Sequence, residues 1–150
     1  MDAKELSDEY FMTEALKQAR IAFEENEIPV GAVIVSQNKI IARGYNQIEK
    51  LNDVTAHAEM IALTSAFNNL GAKYLQSCTL YVTLEPCIMC AGACNWSQLK
   101  KIVIGTKDPK SGFIRKGKDI IHPKTKLVLG VLEEECRVLL EKFFRNVRKK

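Results

Sequence analysis

Two short stretches of the chain carry side chains that can do chemistry. TLEPCIMC, residues 83–90, places Cys87 and Cys90 in a C-x-x-C directly behind Pro86. TAHAEMIA, residues 55–62, places a carboxylate, Glu59, two positions after His57. Thiols three residues apart serve as a redox couple, as part of a structural metal knot or as part of a catalytic one. A strand that runs into C-x-x-C at a helix start is how a disulfide oxidoreductase presents its pair, because the helix N-terminus lowers the thiol pKa. Adding His57 changes the weighting. One imidazole and two thiolates suit zinc and leave its fourth position open, which catalysis requires. A nearby carboxylate such as Glu59 can take a proton from the attacking water and later hand it to a leaving group.

This reading sets a geometric condition. Residues two apart in mid-helix point to opposite sides, so His57 must sit at or before the first turn of its helix, with Thr55 as the expected N-cap. A four-ligand structural zinc would draw on Cys94, on the same helical face as Cys90. Four residues of helix amount to a rise of about 6 Å, while a zinc–sulfur bond is about 2.3 Å. Cys94 is therefore read as a small buried apolar residue, as are Cys78 and Cys136. His122, before Pro123 and among lysines, is read as a solvated histidine with an edge contact to substrate as its alternative.

The elements that must position these groups follow from periodicity. Met12, Ala15, Leu16, Ala19 and Phe23 recur at helical spacing behind Ser7 or Asp8 as N-cap. Pro29 opens a new segment, where VGAVIVS and IIARGYN flank QNK and predict an antiparallel hairpin with Asn38 in its turn. HAEMIALTSAFNNLG predicts a second helix closed by Gly71. CTLYVTLE is a strand stopped by Pro86 and followed by the small-residue helix CIMCAGACNWS. KKIVIGT and KLVLG supply two more strands around a basic loop. The last helix carries an apolar stripe of Cys136, Leu139, Leu140, Phe143 and Val147, with acids at its start and bases at its end, as the macrodipole favours. The alternation predicts a three-layer α/β/α sandwich with a mixed five-stranded sheet, its first pair antiparallel.

Bulk properties narrow the class. A chain of 150 residues that is 47% hydrophobic suits one domain, 1–150, with a true core. The amino terminus MDAKELSDEY is charged, and no apolar run reaches the length of a membrane span. A soluble, unexported, cytoplasmic protein is expected. Five cysteines is an odd count that argues for reduced thiols over a disulfide framework. The net charge of +4 is mild but concentrated in KDPKSGFIRKGK and the terminal FFRNVRKK. Two such segments suit a polyanionic partner, although lysines and arginines also simply solubilise a surface.

HAE at His57–Glu59 and PCIMC at Pro86–Cys90 together form the H-x-E and P-C-x-x-C pair of the zinc deaminases. IPVGAVIV, GYN, D-x-TAHAEM, TLYVTLEPCIMCAGA, IVIGTKDPKSG and EEC running on to LLEKFFR extend the likeness over most of the chain. The chain resembles the bacterial tRNA adenosine deaminases of the cytidine/deoxycytidylate deaminase superfamily.

The resemblance implies a cytidine-deaminase-like fold and hydrolytic deamination of adenosine to inosine at the first anticodon position of a tRNA. It implies one zinc per subunit on His57, Cys87 and Cys90, with Glu59 as the proton shuttle. Asn46, whose amide both donates and accepts, would hold the base, with Val30, the Ala58 backbone and Leu84 lining the pocket. Without the resemblance, Asn46 reads as a turn residue at a strand end. Gly31 permits close backbone approach or marks a bulge, and Leu84 and Ile88 read as packing residues beside the metal. Asp108, Lys110, Phe144, Arg145 and Arg148 are the implied RNA contacts. A homodimer is also implied, with Ile88, Met89 and Trp96 as candidate contacts. After Gly112 the chain departs from the family pattern with FIRKGKDIIHPKTK, which bears on the substrate and not on the metal. The alternatives are a deaminase of the same fold acting on free cytosine, guanine or dCMP, and, more remotely, a non-catalytic zinc or redox module.

Overall fold

The structure is a computed structural model that describes residues 6–148. The first five residues of the charged amino terminus, and Lys149 and Lys150 of the basic tail, lie outside the described residues. Helix α1 (Asp8–Glu24) starts where Ser7 accepts the N–H of Tyr10. Asp8 and Glu9 in its first turn face the positive end of the helix dipole. Strands β1 (Gly31–Ser36) and β2 (Lys39–Tyr45) form the expected hairpin. Its turn residues Gln37 and Asn38 both have positive φ, the backbone twist that two-residue hairpin loops need. A short helix, α2 (Ile48–Leu51), follows, then α3 (Ala58–Leu70), which ends at Gly71 in the left-handed conformation. Strand β3 (Cys78–Leu84) leads into α4 (Ile88–Ser97), β4 (Lys101–Thr106), a single 3-10 turn (Lys118–Ile120), β5 (Lys126–Leu129) and α5 (Glu133–Arg148).

The sheet order is β2-β1-β3-β4-β5. β1 is antiparallel to both its neighbours, and β3, β4 and β5 are parallel. Alternation along the strands divides the core into two. Val33, Val35, Tyr81 and Val103 point to the face covered by α1 and by Cys136 of α5. Ile34, Leu80, Val82, Ile102 and Ile104 point to the face covered by Ala62, Leu63 and Ala66 of α3 and by Ala91 and Cys94 of α4. The predicted three-layer sandwich is therefore the observed one.

One open alternative is decided and three local expectations are corrected. Gly31 is not a bulge, which lies between Ile34 and Val35; a Cβ at 31 would collide with the carbonyl of Ala15 and the amide of Ala19, so its smallness admits α1. Thr55 is not the N-cap of α3. Asp53 Oδ1 accepts both its N–H and its hydroxyl, and His57 occupies the cap position. Ile88 is 46% exposed, so it is not a packing residue. The stripe on α5 fades outward, because Val147 is exposed while Phe143 stays half-buried against Phe23 at 5.9 Å between ring centroids.

Candidate active site

The strand directions bring the chemistry to one edge of the sheet. Gly31 at the start of β1 pairs with Tyr45 at the end of β2, and its neighbour Ala32 pairs with Val82 near the end of β3. Leu84 in turn pairs with Thr106 at the end of β4. Chain leaving β2 passes through the short α2 into α3, and chain leaving β3 enters α4, so both longer helices begin at that edge. His57 is the N-cap residue of α3 and Cys87 that of α4, both in extended conformation. The condition set by the H-x-E spacing is met, since His57 precedes the first turn and Glu59 lies within it.

His57 Nδ1 lies 3.7 Å from Cys87 Sγ and 3.5 Å from Cys90 Sγ. Tetrahedral zinc, with bonds of about 2.0 Å to nitrogen and about 2.3 Å to sulfur, holds such ligands about 3.6 Å apart. The donor set and its spacing therefore fit zinc. Among the described residues these three form the group able to hold a metal. Cys94 stands apart, 1% exposed, with its thiol pKa driven far up by burial. Cys78 and Cys136 are buried in the core as expected, and all five cysteines are free.

Electrostatics prepare the ligands. The Cys87 thiol is held down to about 3, first by a hydrogen bond with Cys90 and then by one with His57. The same contact, with burial, pushes Cys90 strongly upward, so without metal the pair shares one proton. The His57 imidazole is raised, chiefly by its bond to Cys87. Glu59 is 4% exposed, and burial raises its carboxyl from 4.5 to about 7, with its own backbone amide and His57 opposing in part. A carboxyl that titrates near neutrality can accept and return a proton.

A pocket of about 220 Å³ opens over these groups, lined by Ile28, Val30, Asn46, Ile48, His57, Glu59, Leu84, Glu85, Cys87, Asp108 and Ser111. Of the residues expected around the base, Val30, Asn46 and Leu84 line this pocket. Asn46 is almost wholly buried, and its side chain makes two bonds: its Nδ2 donates to the carbonyl of Ile28 at 3.0 Å, and its Oδ1 accepts the N–H of Ala58 at 2.8 Å. It satisfies the first free amide of α3 in place of Thr55. Ala58 is fully buried, its amide already taken by Asn46.

Two buried carboxylates passed unnoticed in the sequence. Glu27 accepts the N–H groups of Glu49 and Lys50 and anchors α2, which carries Ile48 into the pocket wall. Glu85 accepts those of Asp108 and Ile114 on the opposite wall. The EPC spacing behind a strand was the available signal for Glu85; Glu27 had none.

The implied RNA contacts divide into two groups. Asp108 reaches the pocket, and its Oδ1 accepts the N–H of both exposed Lys110 and Ser111. Phe144, Arg145 and Arg148 line a groove of about 470 Å³ with Lys107, Pro109 and Arg137. Residues 107–109 join the two regions. Phe144 is 43% exposed, which settles which of the paired phenylalanines faces outward. His122 accepts the N–H of Lys124 in its own turn and does not line the pocket.

An imidazole and two thiolates at the starts of two helices, with a buried carboxyl beside them in a layered α/β fold, define a zinc-dependent hydrolytic deaminase. Residues 6–106 match the family model described as the cytidine and deoxycytidylate deaminase zinc-binding region, and the chain belongs to that family. It is 45% identical over 148 residues to a tRNA-specific adenosine deaminase of Bacillus subtilis (strain 168), covering 95% of this chain and 92% of the relative. A solved structure from a study of A-to-I editing by tRNA:A34 deaminases at the wobble position superposes with a TM-score of 0.81 at 38% identity, covering 87% of this chain and 98% of the other. A guanine deaminase from Bacillus subtilis is also similar, with a TM-score of 0.67 and 36% identity over 76% of this chain and 78% of the other. Among the described residues no helix is long and apolar enough to cross a membrane.

Proposed function

We propose that this protein deaminates adenosine hydrolytically at the first anticodon position of a tRNA, giving inosine and ammonia, and that residues 1–150 work as one domain in the cytoplasm. The observation that carries the proposal is the buried Glu59 carboxyl in one pocket with His57 and Cys87, which form a donor set with Cys90. Extensive similarity to a tRNA-specific adenosine deaminase supports RNA as substrate.

His57, Cys87 and Cys90 hold the zinc, which when bound supplies the Lewis acidity that makes water nucleophilic near neutral pH. Glu59 takes the proton from the water that attacks C6 of the purine and delivers it to the departing amine. Asn46 retains one donor and one acceptor position after its two protein bonds, enough to read one edge of the base. Val30 and Leu84 supply apolar walls. The base must leave its stack to enter so small a pocket, so an unpaired loop is the fitting substrate. Asp108 and Lys110, with Phe144, Arg145 and Arg148 in the adjoining groove, receive the flanking nucleotides. A second copy of the chain packs on α4, where Trp96 is 80% exposed beside Ile88 and Met89, also exposed on the same helix.

The test is incubation of zinc-loaded protein with an anticodon stem-loop bearing adenosine at the first anticodon position, read as inosine by nucleoside chromatography. The similarity to a guanine deaminase favours free guanine as the second reading. Ammonia release from guanine, with no inosine from the RNA, would replace the first reading by the second.

A further inference from the structure

Glu85 is a buried carboxylate at the active-site edge for which the deamination chemistry has no use. It is 6% exposed, directly after β3 and two residues before Cys87. Its Oε1 accepts the N–H of Asp108 at 3.0 Å, and its Oε2 accepts the N–H of Ile114 at 2.9 Å. Gly112 lies against the same group so closely that a Cβ there would collide with both carboxylate oxygens. Around this anchor the segment also closes on itself: Gly112 N–H donates to the carbonyl of Asp108, and Asp108 Oδ1 accepts from Lys110 and Ser111. The fully buried Phe113 ties the far side down, donating its N–H to the carbonyl of Pro86 at 3.0 Å.

The chemistry of the anchor is specific. Two backbone donors converge on one side chain, and only a carboxylate offers two acceptor oxygens with no donor among them. An amide would satisfy one N–H and set its own NH₂ against the other. We infer that Glu85 is a positioning residue for the RNA, holding the arch 108–114 at the height that sets the mouth of the pocket. The inference rests on the RNA reading above. It gives the segment before the unusual FIRKGKDIIHPKTK continuation a defined place: Asp108 and Ser111 reach the pocket lining because Glu85, Gly112 and Phe113 fix the arch from beneath. A mouth fixed before binding spares the substrate the cost of ordering it.

The experiment compares the zinc-loaded wild type with Glu85→Gln, Glu85→Ala, Gly112→Ala and the double variant Glu85→Ala/Gly112→Ala. It measures kcat and KM on the anticodon stem-loop, zinc content, and amide hydrogen exchange at Asp108 and Ile114. Glu85→Gln is expected to raise KM about tenfold, the size of one lost charge-assisted hydrogen bond, with kcat changed much less and zinc retained. Exchange at the two amides should accelerate by a similar factor while β3 and β4 stay protected. Gly112→Ala should do the same, and the double variant should be no worse than Glu85→Ala alone, because truncating the Glu85 side chain makes room for the added methyl. A loss confined to kcat, an unchanged KM, or a uniform loss of protection across the sheet would each overturn the inference. If the wild type leaves the RNA untouched, the RNA reading falls and takes Glu85's role toward RNA with it; exchange at Asp108 and Ile114 still reports separately whether Glu85 holds the arch.

Discussion

Replacing Glu59 by glutamine removes the proton carrier without altering the shape of the pocket, so its effects on rate and on stability can be read separately. General acid–base catalysis by one positioned group contributes about 10²–10⁴-fold. The proposed mechanism uses Glu59 in both proton transfers, so Glu59→Gln is predicted to fall at or beyond the upper end of that range, with zinc retained. The stability effect has the opposite sign. In the metal-free fold, burial raises the carboxyl from 4.5 to about 7, which at 1.36 kcal/mol per pKa unit is a penalty of about 3 kcal/mol. Between these values the folded chain keeps a proton that the unfolded chain has released, so stability falls as pH rises from 4.5 towards 7 and then levels off. Glutamine has no such titration. Urea unfolding of metal-free wild type and variant at pH 4.5 and pH 8 should show the variant gaining about 3 kcal/mol relative to wild type over that interval. His57 and Cys90 also feel the Glu59 charge, so the difference between the two profiles reports Glu59 together with its coupling to these two neighbours. Near-normal deamination by Glu59→Gln would refute the shuttle assignment, and parallel pH profiles would refute the burial argument.

Cys90→Ser is predicted to lose zinc and activity together, whereas Cys94→Ala should keep one zinc per chain by atomic absorption; zinc loss from Cys94→Ala would restore the four-ligand site. Chelation of the wild type should remove zinc yet leave a cooperative unfolding transition by circular dichroism, because the sheet and both core halves do not depend on the metal. At Gly44 an added Cβ would collide with the carbonyl of Ala58 and crowd the amide of Ala62, so Gly44→Ala should lower stability by about 1–3 kcal/mol and weaken zinc affinity by displacing the start of α3. An unchanged melting temperature would contradict the packing. Arg148→Ala should weaken binding of the stem-loop and lower the slope of log affinity against log salt by about 0.7, the value for one phosphate contact on a single strand. A salt slope equal to that of the wild type would remove Arg148 from the RNA surface.

Much of this architecture was legible in the sequence because its signals are local. Near-continuous apolar, β-branched runs in GAVIVS and CTLYVTL mark strands with two buried faces, Asn38 and Gly71 supply turn and cap, and HAE with PCIMC identifies the donors. The reading failed where a side chain acts over distance. Thr55 has the right type and place for a cap, yet the α3 amide is met by Asn46, twelve residues earlier and just past the end of β2. Glu85 reads as a polar residue ending a strand, and its partners lie 23 and 29 residues downstream. Phe143 and Phe144 are equivalent to any periodicity argument, and only the approach of α1 decides that the first packs on Phe23. Ile88 follows the helical pattern, but α4 is covered by its own fold on one side only, through Ala91 and Cys94.

The place of β1 between β2 and β3 also says something about time. Its hairpin with β2 is local and closes quickly, but its pairing with β3 joins residues such as Ala32 and Val82, with β2 and α3 lying between them in sequence. Such non-local pairing forms late, since the entropy of closing the loop is lost before the contacts repay it. His57 and the cysteine pair stand on opposite sides of that closure. During synthesis the imidazole emerges long before the thiols, and until β1 accepts β3 the three donors have no shared centre. The sheet itself therefore brings the three donors together, whereas in the smallest metal-binding domains the ion must do so.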